Sequence, residues 1–172
     1  GKWDRAVDIE ECFLFNEKLI PLLKAVRAWA AAEGLEYYDQ RKHTGVLRHL
    51  MVREGKNTGE GMVVLFVTND FNEKTFVAAV ESVLPTFNIM SAVNNGLADT
   101  AAPESLKVLK GQDSFVEKIL LTDGAGKTER EVLFKLSPQS FFQTNTKTAQ
   151  KMYSRVRGLV KKIAPKMIYD LY

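Results

Sequence analysis

Apolar residues recur along this chain at two different spacings, and each change of spacing marks an element. Leu19, Leu22, Leu23, Val26, Trp29 and Ala30 fall at helical intervals, which predicts a helix over Leu19 to Glu33. Pro21 is tolerated only in a first turn, so the helix starts near Leu19, and Gly34 is a natural stop. Before it, Arg5 to Glu10 reads as a short strand. After it, Val46 to Arg53 and Met62 to Thr68 are β-rich runs flanking a Gly/Asn/Thr cluster, which predicts a long hairpin. The run MVVLFV is short and rich in β-branched residues, so it belongs at the centre of a sheet.

Asp70 or Asn72 caps a predicted helix through Leu84, with Phe76, Val77, Val80 and Leu84 on one face and Pro85 ending it. Phe87 to Val93 reads as a strand, NNGLADTAAPES as a loop, and Ser105 to Leu109 and Phe115 to Leu121 as strands. TDGAGKTE turns the chain, and Glu131 to Leu136 pairs back. Strands come mostly in adjacent pairs with helices interspersed irregularly. That predicts an α+β fold, a largely antiparallel sheet with flanking helices.

The pattern shifts again after Ser137. Ala149, Met152, Tyr153, Val156, Val160 and Ile163 share one face of a predicted helix, with N-cap candidates among Thr144 to Thr146. Lys147, Lys151, Arg155 and Lys162 lie away from that face. Gly158 weakens the helix by about 1 kcal/mol relative to alanine, which the regular stripe outweighs. Pro165 closes it, and MIYDLY reads as the start of a buried strand ending in an acid, the way a nucleotide-type α/β domain commonly opens.

Charge sharpens that boundary. Val132 to Tyr169 holds eight basic residues and no acidic one. Removing those eight and Asp170 from the totals of 24 and 21 leaves 16 basic and 20 acidic residues in the first 131. A basic helix suits RNA phosphates, although charge on an exposed face is usually just solvated. Composition adds exclusions: 45% hydrophobic residues suffice for a core, and no apolar run approaches a membrane span. The single cysteine, Cys12, excludes an intrachain disulfide and suits a reducing cytoplasm; with only His43 and His49 beside it, the composition argues against a self-contained zinc site. Both histidines read as surface or packing residues.

The sharpest candidate chemistry is SPQSFFQTN, Ser137 to Asn145. Phe141 and Phe142 read either as core or as a face for an adenine or thioether. Gln143 and Asn145 are either turn and cap residues or hydrogen-bonding partners for an amino-acid carboxylate or amine.

With the basic helix and DLY that follow it, this stretch resembles the junction of the RNA uracil-5 methyltransferase family. There, S-P-x-S-F-F-Q-x-N precedes an S-adenosylmethionine-binding domain whose first strand ends D-L-[YF]. TGVLRHLMVREGKNTGEGMVVLFVTN resembles the family's central-domain hairpin, and VDIEECFLF resembles V-D-I-x-x-C of members acting on large-subunit ribosomal RNA. The likeness runs from about Val7 to Tyr172. It implies a central α+β domain over 1–136. Residues 137–172 would then be the first helix and strand of a Rossmann-like methyltransferase domain, cut short. It implies S-adenosylmethionine contacts at Gln143 and Tyr172. It also implies that Cys12 is the fourth ligand of a four-iron–four-sulfur cluster in the whole protein, where three further cysteines would be needed.

The family's nucleophilic cysteine and carboxylate base lie beyond DLY. No catalytic residue is therefore expected within this chain, and no methyl transfer by it alone. The resemblance implies an RNA partner, ribosomal (23S) rather than transfer RNA; the acid-free basic run points to Lys147, Lys151, Arg155 and Lys162 as its contacts, and the expectation is a cytoplasmic monomer without a membrane partner. Two other readings stay open on the residues themselves: a non-catalytic RNA-binding or substrate-positioning module, and a protein-interaction domain.

Overall fold

A computed structural model describes residues 8–98, 100–123 and 126–169. The first helix, α1 (Leu19–Ala32), starts with Pro21 in its first turn and ends at Gly34, whose φ of +65° suits a residue without a Cβ. β1 (Leu47–Glu54) and β2 (Gly61–Val67) form the expected antiparallel hairpin. α2 (Glu73–Glu81) follows, its Asn72 cap accepting from the Thr75 N–H, and leads to β3 (Asn88–Val93). β4 (Ser105–Lys110) completes a sheet of order β1-β2-β3-β4. β5 (Phe115–Thr122) and β6 (Thr128–Leu136) make a separate antiparallel hairpin, and α3 (Thr146–Ile163) comes last.

The fold is α+β, and the strands β1 to β6 pair antiparallel except β2 with β3. Those two run parallel because α2 carries the chain back across the sheet, as a helical crossover requires. The β2 run explains the architecture. Every residue from Gly61 to Val67 is buried, so the strand is covered on both faces. Val63, Leu65 and Val67 join Leu22, Val26, Trp29, Phe76 and Val80 under α1 and α2. Met62, Val64 and Phe66 join Met90, Ala92, Phe115 and Leu136 on the opposite face. Each Val, Leu, Phe or Met among them contributes about 1.5–3 kcal/mol when fully buried.

Trp29 connects the two helices: it meets Phe76 at 5.0 Å and donates from Nε1 to Thr75 Oγ1 at 2.9 Å. A bulge between Leu47 and His49 re-aims Arg48, which donates to the Asn94 and Ala98 carbonyls and stacks 4.2 Å from the Tyr38 ring. Arg48 thus braces the Asn94–Ala98 loop. His49 packs edge-on against Phe66, and exposed His43 faces the Tyr38 hydroxyl at 3.2 Å.

Three local expectations change. Asp8 to Glu10 are irregular rather than strand, residues 1–7 lying outside the described residues. The second helix stops at Glu81 instead of Leu84, because Val83 N–H bonds back to Val80 in a tighter turn before Pro85. Met167 to Tyr169, expected to begin a buried strand, are irregular and exposed, with no described strand beside them to pair with.

Candidate cofactor and nucleic-acid site

SPQSFFQTN leaves β6 as a tight turn and runs irregularly to α3. Ser140 N–H bonds the Ser137 carbonyl at 3.2 Å, and Ser140 Oγ accepts from Ser137 N–H at 3.0 Å. Arg53, at the end of β1, donates to the Ser137 carbonyl at 2.7 Å and to the Pro138 carbonyl at 3.1 Å. Burial pushes the Arg53 pKa down from its usual value, yet a guanidinium stays charged in proteins.

The two phenylalanines divide. Phe142 packs beneath the sheet, its ring 5.5 Å from Phe134. Phe141 is 80% exposed. Gln143 is also exposed, and its amide has no hydrogen-bond partner among the described residues. Asn145 accepts from Thr148 N–H at 3.0 Å and caps α3. Of the four candidates, then, Phe142 and Asn145 are structural, while Phe141 and Gln143 are presented without a protein partner. They line a groove of about 700 Å³ with Cys12, Phe15, Leu50 and Val52. An exposed aromatic face and an unspent amide suit adenine or a thioether chain and an amino-acid head group. Tyr172 lies outside the described residues.

Cys12 brings one thiol to this groove, and no group of three or more His, Cys, Asp or Glu able to hold a metal occurs among the described residues. The residues present do not fit an iron–sulfur cluster on their own, which needs four ligands.

α3 docks on the β5–β6 hairpin through its polar side. Gln150 Oε1 accepts from the Asn57 side chain at 2.6 Å and from Leu120 N–H at 3.0 Å, while Ser154 Oγ accepts from Thr122 N–H at 3.0 Å. Arg157 and Lys161 both pair with Glu129 on β6. Lys147, Lys151, Arg155 and Lys162 form no ion pair among the described residues. On a helix turning about 100° per residue they fall within an arc of about 80°. The expected apolar stripe is present but bare: apart from Ala149 it is not buried, and Met152, Val156 and Ile163 are exposed. The helix spends its polar side on the hairpin, so its apolar side has no described partner.

The Lys161 and Arg157 bonds hold the Glu129 carboxyl below the usual glutamate range. A depressed folded pKa adds stability that is present above that range and lost as pH falls through the folded value. The gap in thermal midpoint between this protein and its Glu129→Gln variant is therefore expected to close on acidification below the usual glutamate range. A gap independent of pH would show that the bridge does not hold α3.

Besides Arg53, Glu117 escaped the sequence reading. Glu117 on β5 is fully buried and accepts from Lys56 N–H, Asn57 N–H, Lys118 N–H and Thr146 Oγ1. Its signal was available: in Phe115–Thr122 the inward positions are Phe115, Glu117 and Ile119, so strand alternation places an acid on the apolar face.

This fold has clear counterparts. The chain is 34% identical over 171 residues to an uncharacterised RNA methyltransferase of Clostridium acetobutylicum, covering 96% of this chain and 35% of that protein. It is 30% identical over 183 residues to another from Caldanaerobacter subterraneus, covering all of this chain and 37% of that protein. No family model matches. Among solved structures, it superposes with a TM-score of 0.71 and 24% identity on the Pyrococcus abyssi tRNA (uracil-54, C5)-methyltransferase in complex with S-adenosyl-L-homocysteine, over 92% of this chain and 36% of that one. The likeness to RNA methyltransferases read from the motifs therefore holds along nearly the whole chain, in sequence and in fold. The chain spans about a third of the length of these relatives.

Proposed function

We propose that this chain is the central domain (1–136) and the opening of the S-adenosylmethionine-binding domain (137–172) of an RNA uracil-5 methyltransferase, acting on 23S ribosomal RNA. The observation that carries this reading is the pairing of exposed Phe141 with the unspent Gln143 amide along one groove. The bare apolar side of α3 supports the boundary, since a helix of this kind normally buries that side against further structure.

S-adenosylmethionine supplies an electrophilic methyl group. In this chain Gln143 would hold the donor by hydrogen bonds, Phe141 would offer it an apolar face, and Tyr172 would be a further contact. Carbon 5 of uracil is a poor nucleophile until a thiolate adds to carbon 6, and a base must afterwards remove the carbon-5 proton. Cys12 matches neither role by its place in the family pattern, so those groups belong to the remainder of the protein. The unpaired arc of Lys147, Lys151, Arg155 and Lys162 meets RNA phosphates.

The test is transfer of labelled methyl from S-adenosylmethionine to carbon 5 of uridine by the full-length polypeptide, with 23S and transfer RNA as separate substrates. Transfer to transfer RNA alone would reassign the substrate. RNA binding without any transfer would favour the second reading, a non-catalytic RNA-binding module, which the same basic arc supports.

Reversing charge at Arg155 and Lys162 is expected to weaken RNA binding and flatten its salt dependence. If both contact a single strand, the slope of log K against log salt falls by about 1.4 in magnitude. An unchanged affinity and slope would return those residues to ordinary solvation.

A further inference from the structure

We propose that Glu117 and Arg53 are positioning residues that grip the two ends of the Ser137–Thr146 segment and so set Gln143 against the groove. The idea rests on the reading of Gln143 as a cofactor contact, and it adds what holds that contact in place.

The segment has little of its own to hold it. Between the Ser137–Ser140 turn and the Asn145 cap it is irregular, and Phe142 is its main apolar contact. Both ends, however, are held from far away in the chain by charged groups. At the start, the Arg53 guanidinium takes two successive carbonyls, those of Ser137 and Pro138. At the end, Thr146 Oγ1 donates to Glu117 Oε2 at 3.3 Å. Thr146 is itself 3% exposed and opens α3 only three residues beyond Gln143.

Glu117 does more than hold Thr146. Its Oε2 also accepts from Lys56 N–H at 2.6 Å, and Oε1 accepts from Lys118 N–H at 2.7 Å and Asn57 N–H at 3.2 Å. One carboxylate therefore joins the β1–β2 turn, β5 and the start of α3. The Asn57 amide extends the link by donating to Gln150 one turn further along the helix. A buried carboxylate is costly unless it is fully hydrogen-bonded, and an apolar side chain between Phe115 and Ile119 would leave the Lys56, Asn57 and Lys118 N–H groups without this acceptor. What the carboxylate adds is direction. Both oxygens face only donors, so glutamine cannot replace it without turning an N–H group toward backbone N–H groups.

The experiment uses the full-length polypeptide and the variants Glu117→Gln, Thr146→Val, Arg53→Lys and Val80→Ala. Val80 is fully buried on the opposite face of the sheet, so its variant reports general loss of stability. Two readouts are compared: hydrogen exchange of the amides from 141 to 150, and KM for S-adenosylmethionine against kcat. The three segment variants are expected to speed exchange in that window and raise KM about tenfold, with kcat less affected; Val80→Ala does neither. Unchanged exchange in both Glu117→Gln and Thr146→Val would overturn the proposal, as would an equal KM rise in Val80→Ala. A Gln143→Ala arm separates the two layers. If that variant leaves KM unchanged, the cofactor reading fails, and the exchange data alone decide whether Glu117 and Arg53 position the segment.

Discussion

Phe66→Ala is expected to destabilise the protein by about 3–5 kcal/mol, the range for removing a large aromatic from a packed core. Phe66 is fully buried on β2, among Met62, Val64, Met90, Ala92, Phe115 and Leu136, with His49 edge-on against its ring. That cluster is where the sheet meets the β5–β6 hairpin, and Phe142 packs against it. The loss therefore reaches the site as well as the core. A domain of this size has only about 5–15 kcal/mol in total, so a large share disappears. Urea unfolding checks this: the midpoint should fall while the slope with denaturant stays constant. Leu133→Ala is the comparison. Leu133 is 65% exposed on β6, and its loss should stay within about 0.5 kcal/mol. Equal effects at the two positions would mean that this face is not the core it is described as.

Gln143→Ala is the opposite experiment, a large loss of activity with no loss of stability. In the full-length polypeptide, on the proposed function, it is expected to lower kcat/KM for S-adenosylmethionine by about ten- to a hundredfold. That corresponds to the roughly 1.5–3 kcal/mol of a hydrogen bond to a charged group. Its thermal midpoint should not move, because the amide is exposed and bonds nothing among the described residues. Phe141→Ala should behave alike, being 80% exposed, whereas Phe142→Ala should cost stability first. If Gln143→Ala retained full activity, the groove would lose its claim to the methyl donor.

Much of the fold was legible in the chain. The helix from Leu19 follows from its apolar spacing and Gly34, and the first hairpin from two β-rich runs; the sequence narrows the second helix's cap to Asp70 or Asn72, and the structure selects Asn72. The parallel pairing of β2 with β3 was less accessible, because pairing is settled by which neighbour a buried strand finds. The candidate site was legible only in part. SPQSFFQTN stands out as a motif, yet nothing in it says which phenylalanine is buried. Arg53 and Glu117 lie 84 and 29 residues away in sequence from the Ser137 and Thr146 atoms that they hold.

Local spacing located helices α1 to α3, strands β1 to β6 and the basic character of the last helix, because propensity and periodicity act over a few residues. It also predicted strands over residues 8–10 and 167–169 that do not form. Tertiary structure decided how that helix sits. Its apolar stripe, the face that periodicity assigns to a core, stays bare, and Gln150, Ser154, Arg157 and Lys161 dock instead. The reason is that β5 offers N–H groups at Leu120 and Thr122 and β6 offers the Glu129 carboxylate. Hydrogen-bond donors and charge on a neighbouring strand are not written in the helix's own pattern.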